Sequence, residues 1–197
     1  MKERPILFSG PMVRALLDGS KTQTRRIAKG VAAVHTRTGE ALANADSVGP
    51  RVLCPYGQPG DRLWVREAWA QRGAWRLPEW PDADADDTYW HGSNEVIYTA
   101  TTAKPATDWR GRPSIHMPRW ASRILLEITD VRVERLNDIS NSDAEAEGID
   151  YIRQIPDADE TLTAHELFEA LWDANYGPGA WEENPWVWVI EFKKVNP

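Results

Sequence analysis

Lys21 and Thr24 stand three residues apart in the stretch GSKTQTRR, and Glu147 stands far downstream in AEAEG. An amine beside a hydroxyl is one form of activated nucleophile for acyl transfer, with lysine as the base. Glu147 draws notice for a different reason. It falls in the last turn of a predicted helix, where the helix terminus opposes a carboxylate by ~0.3–1 kcal/mol, so its position serves stability poorly. Each residue also has a plain reading: GSKTQTRR as a solvated basic turn, and Glu147 as a surface carboxylate screened by water.

The elements that must position these residues can be read from the pattern. PILF, Pro5 to Phe8, is a strand, and Pro11 suits the first turn of a helix. Met12, Val13, Leu16 and Leu17 share one helical face and Gly19 stops it, so GSKTQTRR begins where a helix ends and its side chains project into a cleft. GDRLWV, Gly60 to Val65, is a turn and a strand, and RILLEITDVRVERL is a long strand or two strands joined by a bend at Asp130. Ser142 to Glu145 and Thr163 to Glu166 read as capping boxes, the second opening a helix with Leu167, Phe168, Leu171 and Trp172 as its apolar stripe. WVWVIEFK, Trp186 to Lys193, is a final alternating strand. Two stretches, about 30–59 and 75–107, have weak periodicity and read as long loop insertions into one domain spanning 1–197, with a short strand at Val96 to Thr99. Several strands with few short helices predict an α+β fold, a small curved sheet or barrel with helices at its ends.

Composition narrows the function classes. The net charge is −7, which argues against non-specific binding along a nucleic acid backbone. Charge is uneven, however. Lys2, Arg4, Arg14, Lys21, Arg25, Arg26, Lys29 and Arg37 face only Glu3 and Asp18 in the first segment, so a small anionic or nucleoside-like ligand fits there better than a long duplex. Eleven Trp exceed what a core of this size needs, and some should line a surface or pocket. Cys54 is the single cysteine and the N-terminus lacks the apolar run of a signal peptide, which together point to the cytoplasm and away from a membrane. G-x-S-x-G, H-E-x-x-H, paired C-x-x-C and Walker A motifs are absent. His35, His91, His116 and His165 lack ligand spacing, and PDADADD reads as a solvated acidic loop, so no metal and no cofactor is expected.

Gly19, Lys21, Thr24 and Arg26 match the G-x-K-x-x-T-x-R signature of the ASCH domain, a PUA-like small β-barrel family. GDRLWV, LEITDVRVERL, the AEAEG helix and WVIEFK follow in that family's order, and together these segments cover about half of the chain. The pattern resembles the bacterial N4-acetylcytidine amidohydrolases of the family, although this chain is nearly twice as long. The resemblance implies Lys21, Thr24 and Glu147 as catalytic residues, with Arg25, Arg26, Trp64 and Glu67 as substrate-binding residues. It equally accommodates an RNA or modified-base reader without chemistry, in which short single-stranded RNA is the partner, or a ribonuclease.

These residues accommodate two catalytic schemes. In one, Lys21 takes the proton of Thr24, which needs a neutral amine; an unperturbed pKa of ~10.4 leaves about one in two thousand neutral at pH 7. In the other, Lys21 stays charged and stabilises an oxyanion while Glu147 activates Thr24 or a water.

Overall fold

The structure is a computed structural model that describes residues 1–34, 39–42, 52–80, 82–103, 107–153 and 161–195. Strand β1 (Glu3–Leu7) leads into helix α1 (Gly10–Asp18), which ends at Gly19 as its sequence predicts. The remainder of GSKTQTRR departs from the expected loop: from Gln23 onward it is strand β2 (Gln23–Ile27). Strand alternation then sends Gln23 and Arg25 to one face and Thr24 and Arg26 to the other, a division that a loop would not impose.

A short pair, β3 (Ala33–Val34) and β4 (Ala41–Leu42), precedes β5 (Arg62–Arg66). Then come β6 (Trp69–Arg76), β7 (Tyr89–Tyr98), β8 (Trp109–Arg112) and the long β9 (Leu125–Arg135). Helices α2 (Asn141–Ala146), α3 (Asp150–Arg153) and α4 (Ala164–Tyr176) lead to β10 (Trp186–Val195). The fold is mixed α+β.

The main sheet runs β1-β5-β9-β10-β2, with β1 and β5 parallel and the other pairs antiparallel. Among the described residues no backbone ladder joins its edge strands β1 and β2, but the Arg26 guanidinium spans them through Leu7 O, 3.0 Å from Nη2. β9 is one strand rather than two. Its register against β10 shifts between Glu191 and Phe192, which pair with Asp130 and Ile128, so the extra residue is Thr129, next to the expected bend.

The alternation of β10 serves two cores. Trp188, Ile190 and Phe192 pack with Ile6, Phe8, Val13, Leu16 and Leu126 on one side, while Val187 and Val189 pack with Leu167, Phe168, Trp172 and Trp181 beneath α4 on the other. Helix α4 is there because its capping box forms as predicted: Thr163 Oγ1 accepts from Glu166 N–H, and Glu166 accepts from Thr163 N–H. The box predicted at Ser142 does not form. Ser140 caps α2 instead, accepting from Asp143 N–H at 3.1 Å, which leaves Ser142 inside the first turn.

The two expected insertions differ. In the first, Val31, Ala41, Val52, Cys54 and Tyr56 pack against the main core, so the described parts are more than an appended loop; positions 35–38 and 43–51 lie outside the described residues. The second is more regular than its sequence suggests. β7 begins at Tyr89 rather than Val96, and β7-β6-β8 form a separate three-stranded sheet. No hydrophobic alternation announced it, because neither face of its outer half is buried and cross-strand pairs such as Trp75 with Trp90 hold it instead. The acidic run makes an exposed turn at Ala85–Asp87 capped by Asp84.

Candidate active site

The chain places Lys21 between α1 and β2, where its N–H donates to Ala15 O and a single antiparallel bridge pairs it with Glu147. Its side chain is wholly buried. The ammonium makes three hydrogen bonds, to Glu147 Oε2 at 2.8 Å, Glu147 O at 2.8 Å and Gln23 O at 2.9 Å, and lies 5.4 Å from the centre of the Phe8 ring. Burial lowers the Lys21 pKa below the usual lysine value, with the Glu147 charge and hydrogen bond opposing that shift.

Glu147 caps α2 at its C-terminus, so the misplaced charge noted in the sequence is matched by a buried cation. Gly148 makes the approach possible. Its φ of 75° suits glycine, and a Cβ there would sit 2.8 Å from the Cβ atoms of Ala15 and Lys21.

Arg25 grips the same carboxylate from the other side, with Nη1 3.4 Å from Glu147 Oε1, while Nη2 pairs with Glu134 and lies 3.6 Å from Asp143 Oδ2. Gln23 Nε2 donates to Asp143 O at 2.7 Å and Oδ1 at 3.0 Å, tying β2 to α2. Arg132 completes the network through Glu134, Asp143 and Glu191. Burial pushes the Asp143 carboxyl up, but the Gln23 and Ser140 hydrogen bonds and the Arg25 and Arg132 charges outweigh it and hold it below the usual value.

Thr24 lies on the opposite face of β2. Its Oγ1 is fully buried and accepts from Arg26 Nη1 at 2.9 Å; no hydrogen bond joins it to Lys21 or Glu147 among the described residues. Arg26 also donates to Arg25 O and rests 5.4 Å from the Phe8 ring.

A cleft of about 300 Å³ opens onto this cluster. Leu7, Ser9 and Met12 form one wall, Arg25, Arg26 and Glu147 the floor, and Phe168, Leu171, Trp172, Asn175 and Tyr176 from α4 the other wall. The Trp172 and Tyr176 rings lie 4.3 Å apart at 31°, and burial raises the Tyr176 hydroxyl above its usual pKa. Lys21 and Thr24 sit behind the floor rather than in it.

Glu67 and Trp64 are not brought to this cleft. Glu67 is buried in a two-point contact with Arg123, at 2.9 and 3.0 Å, and Trp64 lies beneath the Arg66 guanidinium at 4.7 Å. Their own partners occupy both side chains, and β5, which holds Trp64 and ends just before Glu67, is separated from β2 by β9 and β10.

Sequence reasoning missed the α4 wall. Phe168, Leu171 and Trp172 were visible as an apolar stripe, but the stripe serves core and cleft together, and Asn175 and Tyr176 one turn later carried no separate signal. No group of His, Cys, Asp and Glu suited to a metal ion occurs among the described residues, nor any helix long and apolar enough to cross a membrane. No family model, no curated protein and no solved structure matches this chain.

Proposed function

We propose that this protein is an amidohydrolase that removes the acyl group from the exocyclic amine of N4-acylated cytosine nucleosides, on a PUA-like fold of the ASCH type. One observation carries the reading: the buried Lys21–Glu147 pair presents its carboxylate, and not its amine, to a small aromatic-walled cleft. A cleft of about 300 Å³ is at the lower end of small-ligand sites and suits a nucleoside better than an oligonucleotide. The Arg26 bridge from β2 to Leu7 supports a barrel whose seam is closed by a side chain.

In this reading Glu147 is the base. Lys21 has all three N–H groups committed to acceptors and orients the carboxylate, while Thr24 is buried and held by Arg26, so water rather than Thr24 is the nucleophile. Glu147 takes a proton from water as the oxygen attacks the acyl carbon. The half-buried Arg26 guanidinium on the cleft floor stabilises the oxyanion, while the enclosed Arg25 holds Glu147 in place. Glu147 then returns the proton to the departing amine, giving the free cytosine nucleoside and a carboxylic acid. The Trp172 and Tyr176 rings supply the surface on which the base packs.

Release of cytidine from N4-acetylcytidine, followed chromatographically, tests the proposal. Glu147→Gln should lower kcat by ~10²–10⁴ with little change in KM. Lys21→Ala should be similarly damaging, and Thr24→Ala should retain most of the activity. A Thr24→Ala loss equal to that of Glu147→Gln would restore the hydroxyl as nucleophile. Wild-type protein that consumes no N4-acylated cytosine, cytidine or deoxycytidine would end the hydrolase reading in favour of a reader.

A further inference from the structure

The three-stranded sheet has two faces of different electrostatic character. Arg72 pairs with Glu95 at 2.9 Å, and Arg76 and Asp108 line the same shallow depression, so on that face two guanidinium groups meet two carboxylates. The other face holds Trp75 and Trp90, edge to face at 5.7 Å, with the Arg110 guanidinium 4.9 Å from the Trp75 ring and 6.0 Å from the Trp90 ring. Arg112 follows two residues along β8, where its polar contact is with Gln71 Oε1. Neither Arg110 nor Arg112 has a carboxylate partner among the described residues. Trp75 is 58% exposed, and none of these residues lines the cleft.

We infer that this face binds a short stretch of single-stranded nucleic acid, with a base stacking on Trp75, which Trp90 supports from behind, and phosphates passing along β8 at Arg110 and Arg112. The pairing of an exposed indole, backed by the half-buried Trp90, with guanidinium groups that no carboxylate answers is the chemistry that single strands require, since every base offers a stacking face and every linkage a negative charge. β8 is an edge strand of four residues, so the track is short, about two or three nucleotides. The turn carrying Asp84, Asp86 and Asp87 follows β6 and repels phosphate, which marks where the track ends. A duplex, whose bases are stacked on one another, offers nothing to Trp75. The inference stands apart from the hydrolase reading and uses none of its residues.

Fluorescence anisotropy of labelled dT12 and rU12 at 50 mM salt tests it, with both oligomers included to separate DNA from RNA. Wild-type protein should bind at least one of them and should bind the matching duplex more weakly. Trp75→Ala should raise Kd about tenfold. Arg110→Ala with Arg112→Ala should raise it at least as much and lower the salt slope by about 1.4, about 0.7 for each phosphate contact on a single strand. Arg72→Ala, on the opposite face, should leave Kd unchanged. Because Trp75 is exposed, an unchanged melting temperature certifies the fold of its variant. No binding by the wild type, equal binding of duplex, an undiminished Trp75→Ala protein or an equal effect from Arg72→Ala would each overturn the inference.

Discussion

Strands β10 and β7 are equally long, ten residues each, yet five residues of β10 are buried and none of β7 is. β10 has apolar residues on both faces because it divides two cores, and it lies between β9 and β2. β7 is an edge strand paired to β6 alone, with only Val96 and Tyr98 reaching a small cluster around Trp69 and Met117. The contrast separates two tasks. The enclosed sheet fixes Lys21 and Glu147 to within hydrogen-bonding distance across 126 residues of chain, whereas the outer sheet only has to display side chains.

The contrast breaks first in a core substitution. Ile190 is fully buried in the centre of β10, opposite Thr24, and Ile190→Ala should cost about 3–4 kcal/mol through lost burial and the cavity left behind. Urea unfolding measures this directly. The same protein should lose the hydrolase activity proposed above at temperatures where the wild type retains it, because β2 is anchored on Ile190. A cost near 1 kcal/mol would mean that the two cores are less continuous across β10 than their packing implies.

An intermediate effect should come from Gly73 in β6. A Cβ there would lie 2.4 Å from His91 O and 2.9 Å from the Gly92 Cα, and backbone atoms cannot move aside as a flexible side chain can. Gly73→Ala should therefore unpair the outer part of β6 from β7 while the main sheet persists. Hydrogen exchange reads the difference: amides of β7 should lose protection and those of β10 should keep it. Joint loss in both strands would show the two sheets to be one cooperative unit.

The enclosed sheet was legible in the sequence for the reason that it is enclosed. PILF, LEITDV and WVWVIEFK are apolar runs whose pattern reports burial, and Pro11, Gly19 and the Thr163–Glu166 box mark helix ends by local chemistry. Lys21 and Glu147 were legible as an unusual charge and a motif position. Their mutual contact was not, because nothing in local spacing reports a bridge between Lys21 and a helix end more than a hundred residues away. The outer half of the three-stranded sheet was hidden because neither of its faces is buried, and periodicity detects burial rather than pairing. The expected roles of Trp64 and Glu67 failed to reach the cleft for a related cause: both are enclosed residues whose partners, Arg66 and Arg123, are neighbours in the fold that sequence position does not advertise.

The smallest expected effect sharpens the comparison through charge. Burial holds the Lys21 pKa below that of an unfolded chain, so between the folded value and the ordinary ~10.4 the unfolded state binds more protons than the folded one. Stability should therefore rise with pH across that window, and the cost of the buried ammonium should be fully present below it. Lys21→Met keeps the length of the side chain, leaves Glu147 its contact with Arg25 and cannot titrate. The difference in urea midpoint between wild type and Lys21→Met should shift in favour of the wild type as pH is raised from 7 to 10. On the outer sheet Arg72 and Glu95 are both more than half exposed, water screens them in either state, and Glu95→Gln should give a midpoint difference that does not change over the same range. Parallel slopes for wild type and Lys21→Met would mean that the Glu147 carboxylate fully offsets burial at Lys21, and the lysine would then be a fixed cation throughout the physiological range, holding its carboxylate and never titrating.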